Sequence, residues 1–280
     1  MWHLDPPAHS ARSTYRTCIS RIRPGLAGRL DAATAAVVDA SAAFDLAARL
    51  GNLHLIVPQA IVAPDITTEE MGKVYTQRMA KNGAPGRDIY DEIFGSSPQG
   101  RCPLCAQRPV ATLDHYLPKA HYPALAVAPL NLLPACSDCN KAKLDAIPTR
   151  AEEVALHPYY DDLGDNVWLV ARVVQIRPTA LRFSVAAPVA WSPLLAARAQ
   201  NHFQSLGLAA LYASEAAEEL INIRHQLVTV RATEAAAGVR DELQRRTSSC
   251  AAGRPNGWRA AAYRAWSASN WFCDGGFELK

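Results

Sequence analysis

Hydrophobic and polar positions along this chain keep two rhythms, and the switches between them mark its elements. From Gly25 to Leu50 the residues are rich in Ala and Leu. Leu26, Leu30, Val37 and Phe44 recur at spacings of four and seven, one face of a helix that Gly51 ends as a C-cap. Upstream, Pro6-Pro7 and polar residues lead into Tyr15 to Arg23, where the run Cys18 to Arg23 admits a short helix or a strand. Val57 to Pro64 reads as a linker. Thr67 and Glu70 have capping-box spacing and predict a helix to about Lys81, stopped by Asn82-Gly83. Pro85 opens a shorter helix through Ile89, Tyr90, Ile93 and Phe94. A loop from Gly95 to Gly100 follows.

The rhythm then shortens. Val110 to His115 predicts a strand, and Pro118 to Pro129 a loop or weak second strand broken by three prolines. Asp138 or Cys139 begins a helix that Pro148 ends. Val167 to Ile176 predicts another strand. Its partner is a half-buried strand in which Leu181, Phe183 and Val185 alternate with Arg182 and Ser184. Ser192-Pro193 starts a helix. Leu220, Ile223, Leu227 and Val230 form an amphipathic stripe, and a third helical stretch covers Glu234 to Arg246. The tail holds Trp258, Trp266 and Trp271 among Arg254, Arg259 and Arg264. Such a mixture can stack on bases, but indoles packed into a core are the commoner arrangement and the preferred one here.

Composition adds limits. The chain has 280 residues, 49% of them hydrophobic and 20% charged, enough for one large domain or two modest ones. A net charge of +3 does not by itself indicate a nucleic-acid binder. Between Arg101 and Arg150 six Lys/Arg face three Asp, a mild local basic bias. No apolar run is long enough to span a bilayer and no signal-peptide layout opens the chain, so the cytoplasm and no membrane are expected. Three cysteines outside the central cluster, Cys18, Cys250 and Cys273, show no pairing pattern and suit a reducing compartment.

The chemistry concentrates between Cys102 and Lys143. Two Cys-x-x-Cys pairs, Cys102/Cys105 and Cys136/Cys139, are separated by 30 residues. Such turns point two thiolates each at one metal, and two of them close a tetrahedral zinc site with no open position. That site staples a fold and performs no reaction. A redox motif or two disulfides are the alternatives; two paired turns this close favour zinc, and a redox motif would normally stand alone near a βαβ pattern, which is not visible here. Within or just beyond the turns lie Asp114-His115, Lys119, Asn131, Asn140, Lys141 and Lys143. A neutral histidine can take a proton from water near pH 7, and three lysines beside it can hold phosphates. His121 is a possible rival to His115.

At these residues the chain resembles the HNH, or ββα-metal (His-Me finger), endonuclease family, over about 45 residues. The resemblance implies that Asp114 is a carboxylate metal ligand and His115 the general base. It implies that Asn131 orients the histidine and its loop and that Asn140 is a metal ligand. Asn replaces the final His of the strict lettering, which favours Mg²⁺ or Mn²⁺ as the catalytic ion. Phage junction-resolving endonucleases of this superfamily share the Cys₄ staple with Asn after the last Cys. The longer run Leu-Asp-His-Tyr-Leu-Pro-Lys, then Tyr-Pro, then Asn-Leu-Leu-Pro, is similar to HNH proteins of bacterial anti-phage systems, some of which act beside an ATPase partner.

The fold expected is mainly α, with a small zinc-stapled ββα-metal core and an accessory β-hairpin. Its regions are an N-terminal helical part (1–98), the nuclease core (99–150) and a C-terminal hairpin with helices (151–280). The function expected is metal-dependent cleavage of DNA in phage defence. The alternatives are a zinc-stabilised nucleic-acid-binding or scaffold module and a partner-gated effector acting on DNA or RNA.

Overall fold

The computed structural model describes residues 1–164 and 166–278. It is mainly helical, and its described residues hold three two-stranded antiparallel sheets. The chain divides into two units, Met1–Asp162 and Leu163–Lys280.

In the first unit α1 (Ala11–Ile19) starts at Ser10, whose hydroxyl accepts from the Ser13 N–H. Of the Cys18 to Arg23 run that admitted helix or strand, only Cys18 and Ile19 are helical, and the chain turns at Ser20 and Arg21. The single helix expected from Gly25 to Leu50 is two, α2 (Pro24–Ala32) and α3 (Thr34–Arg49). Ala33 joins them with its ψ opened to −4°, and Leu30 and Val37 on either side are both fully buried. The expected linker, Val57 to Pro64, holds the first strand of a tight hairpin, β1 (Ile61–Val62), which pairs with β2 (Ile66–Thr67) just beyond it. Next comes α4 (Thr68–Tyr75), capped as its sequence predicts. The Thr67 N–H donates to Glu70 at 2.9 Å and the Glu70 N–H to Thr67 Oγ1 at 3.2 Å. The chain continues as a wider π turn to Ala80 and becomes extended at Lys81. Helix α5 (Arg87–Gly95) follows.

The central segment supplies β3 (Thr112–His115), β4 (Leu132–Ala135) and α6 (Ser137–Lys143). The second strand lies beyond the proline-broken stretch, which is a loop with two 3₁₀ turns. Helix α6 ends before Pro148, because Leu144 turns to φ 45°. Tyr15, Met71, Met79 and Ile93 pack in one core with Leu113, Val127 and Leu132. Segments 1–98 and 99–150 thus share a single hydrophobic core. Each large apolar side chain fully buried there contributes about 2 kcal/mol.

In the second unit β5 (Leu169–Val174) pairs with β6 (Ala180–Val185), the accessory hairpin expected. Leu181 and Phe183 are buried while Arg182 and Ser184 are exposed. Helix α7 (Pro193–Ser205) begins at the Ser192 cap. The 46-residue α8 (Leu208–Gly253) buries the stripe Leu220, Ile223 and Leu227 and is broken at Ala235 (φ 55°, ψ −158°). In α9 (Trp258–Ala268) Trp258 and Trp266 are buried, and Trp266 stacks on Phe272 with centroids 5.5 Å apart. These two indoles serve the core. Among the described residues no helix is long and apolar enough to cross a membrane.

Candidate metal centre and adjoining cleft

The first cysteine turn is tied back on itself. The Cys102 N–H donates to Arg108 O at 2.8 Å, and the Ala106 N–H to Cys102 O at 2.7 Å. Ala106 takes φ 53°, a left-handed geometry that brings the chain back under Cys105. The Arg108 N–H points at Cys105 Sγ. The second turn is the start of α6: Cys136 is its N-cap, and its Sγ accepts from the Cys139 N–H at 3.3 Å. Arg108 and Asp138 join the two turns by an ion pair of 2.8 Å.

All four Sγ atoms lie within 4.8 Å of one another, with Cys105 and Cys136 at 4.0 Å. All four side chains are buried and none is in a disulfide. Zinc with Zn–S bonds of about 2.3 Å places its sulfurs about 3.8 Å apart, so the donor set and the spacing fit a structural metal such as zinc. Among the described residues this is the group of His, Cys, Asp or Glu side chains close enough to share an ion.

Beside the staple, β3 and β4 pair in the register Asp114↔Leu133 and His115↔Leu132. A cleft of 480 Å³ opens there. Asp114, His115, Lys119 and Asn140 line it, with Tyr75 of α4 and Asp145. His115 is 7% exposed. Its Nε2 lies 2.8 Å from Ala126 O, and the Tyr75 ring meets its edge at 4.4 Å. A carbonyl only accepts, so Nε2 carries the hydrogen and Nδ1 the lone pair. Burial, with Lys119 and Lys143 nearby, lowers the imidazole to about 3, and the ring is neutral at pH 7.

Asp114 is also buried, and burial pushes its carboxyl up while Lys143 opposes the shift. Its Oδ2 accepts no hydrogen bond of good geometry, although Lys143 Nζ stands 3.1 Å away. Asn131 is fully buried. It donates to Leu117 O at 3.0 Å and Leu125 O at 3.3 Å, and accepts from the Leu117 N–H at 2.7 Å. It fixes the loop whose Ala126 carbonyl holds His115.

The three lysines differ. Lys119 lines the cleft, 5.6 Å above the Tyr75 ring. Lys141 is exposed on α6 and outside the cleft lining. Lys143 departs from the expected phosphate contact. Its ammonium donates to His115 O at 2.5 Å and Tyr116 O at 2.6 Å and faces Asp114 Oδ2 as an ion pair at 3.1 Å. Burial lowers its pKa and Asp114 opposes that. His121 does not line the cleft. Two lining residues had no signal near the motif: Tyr75, about 40 positions upstream, and Asp145, carried round by the bend at Leu144.

No protein-family model matches the chain, and no solved structure matches it. Over 185 residues it is 34% identical to Protein ea31 of Escherichia phage lambda, an alignment covering 63% of this chain and 62% of that relative. The chain thus spans less than two thirds of the relative's length.

Proposed function

We propose that this chain is an HNH-type endonuclease that hydrolyses DNA phosphodiester bonds with a divalent ion, on a zinc-stapled ββα core. The observation that carries the reading is the cleft itself. A neutral histidine with its Nδ1 lone pair available, a buried carboxylate, an amide and a lysine meet there, beside a Cys₄ cluster.

In this reading His115 takes a proton from the attacking water at Nδ1 while Ala126 O holds the ring through Nε2. Asp114 and Asn140 would hold Mg²⁺ or Mn²⁺, and their hard oxygen donors suit either ion. Such an ion supplies charge stabilisation at a phosphate oxygen and the leaving 3′ oxygen. Lys119 faces the phosphate from the cleft wall, with Lys141 outside it. Asn131 keeps the loop, and hence the tautomer, in place. Kinship with a phage-borne protein supports a role where phage and bacterium meet, and an ATPase or other defence partner belongs to the same proposal.

One observation favours a second reading, a zinc-held nucleic-acid-binding module without cleavage of its own: Asp114 already has a cation beside it in Lys143. Plasmid and RNA cleavage by the zinc-loaded full chain separates the two readings. The assay is run with Mg²⁺, Mn²⁺ or EDTA, beside His115→Ala of equal zinc content. Metal-dependent cutting that the variant loses is the expected result. Binding without cutting under every condition would replace the nuclease reading with the second.

A further inference from the structure

Asp114 is the carboxylate that the proposed function assigns to a divalent ion, yet the fold already supplies it with a positive charge. Lys143 Nζ stands 3.1 Å from Oδ2, and both side chains are largely buried, 15% and 7% exposed. The ammonium does not depend on that carboxylate for its place, because the carbonyls of His115 and Tyr116 also hold it, at 2.5 and 2.6 Å. Asn140 and Lys143 lie three residues apart on α6, a spacing that puts neighbours on one helix face. The amide that would join Asp114 at an ion and the ammonium that stands in front of Asp114 therefore come from the same turn. Asp145 lines the same cleft, and its charge reaches Lys143 from the other side of the Leu144 bend.

A dication bonded to a carboxylate oxygen sits about 2.0–2.2 Å from it. An ammonium and a dication that close to one oxygen repel each other at short range. Loading the cleft therefore requires Lys143 to give up Oδ2. It can do so while keeping both carbonyls, with Asp145 as a second carboxylate nearby. We infer that Lys143 is a resident counter-ion of Asp114 that competes with the divalent ion for that carboxylate and so sets the ion concentration at which the cleft loads. This rests on the proposed function, since it concerns the same ion.

The test is Mn²⁺ binding to the zinc-loaded full chain, read from the free-Mn²⁺ EPR signal, with no nucleic acid present. Lys143→Met and Lys143→Gln remove the charge, and the glutamine keeps N–H donors for the two carbonyls should methionine prevent folding. Lys143→Arg retains the charge, and Asp114→Asn removes the ligand. The expected result is at least tenfold tighter Mn²⁺ binding in a folded neutral variant, near wild-type binding in the arginine variant and loss in Asp114→Asn. Neutral variants that bind Mn²⁺ no tighter than wild type, with binding still lost in Asp114→Asn, would overturn the competition and leave the proposed ion site standing. No Mn²⁺ bound by wild type or any variant would overturn both.

Discussion

His115 Nε2 lies 2.8 Å from the carbonyl oxygen of Ala126, and this contact decides which ring nitrogen can act as a base. The strand holds the imidazole at one end and the loop holds it at the other. Nδ1 is left with the lone pair.

His115→Ala should therefore lower any cleavage rate by about a hundredfold or more, the range general bases contribute. Its zinc content should stay at the wild-type value, because the cysteines do not depend on the ring. Single-turnover cleavage beside elemental analysis checks both halves of this expectation. A variant that cuts at the wild-type rate would assign the proton transfer elsewhere.

Asn131 makes three buried hydrogen bonds to Leu117 and Leu125. Asn131→Ala strands backbone groups that cannot reach water, and we expect a loss of about 3 kcal/mol. Urea unfolding should show a lower midpoint with an unchanged slope. A midpoint equal to that of the wild type would mean that the loop does not need the amide.

The Cys₄ cluster should carry one tightly held zinc per chain. Co²⁺ in its place should give the visible and near-ultraviolet bands of tetrahedral thiolate coordination. Cys139→Ser should abolish that spectrum and lower the melting temperature, since the metal's binding free energy is part of the folding free energy. Stoichiometric zinc persisting in Cys139→Ser would count against the four-sulfur site.

Glu70 caps α4 and accepts from Arg29 Nη1 at 2.7 Å, and these bonds hold its carboxyl below its ordinary value of 4.5. A carboxyl depressed on folding contributes stability that is complete above its unfolded pKa and lost as pH falls through the folded one. Glu70→Gln keeps the capping geometry but not the charge. Wild type should be the more stable protein at pH 7, by a small margin because Arg29 is partly exposed. The two should converge as pH drops below about 4.5. A difference that persists unchanged at pH 3 would show that the effect is not ionic.

The parts that short-range chemistry dictates were legible in the residues. Cys-x-x-Cys spacing needs nothing beyond a turn and a metal. Thr67 and Glu70 are three positions apart, and Ser192-Pro193 is a local helix start. The longer-range parts were hidden. The second strand was sought between Pro118 and Pro129, whereas β4 lies beyond it and includes Pro134, since a two-stranded sheet leaves each strand an unpaired edge where a missing N–H costs little. Tyr75 became part of the cleft by packing on His115. Lys143 was expected to hold phosphate, and only the fold shows it turned onto Asp114.

Helix α6 is seven residues long, too short to persist by itself in water. It begins on Cys136, includes Cys139, and carries Asn140 and Lys143 on its next turn. The aim of those two side chains is thus borrowed from the thiolates one step earlier in the chain. A metal held by the four cysteines would thus shape the cleft by ordering α6, without entering the cleft itself.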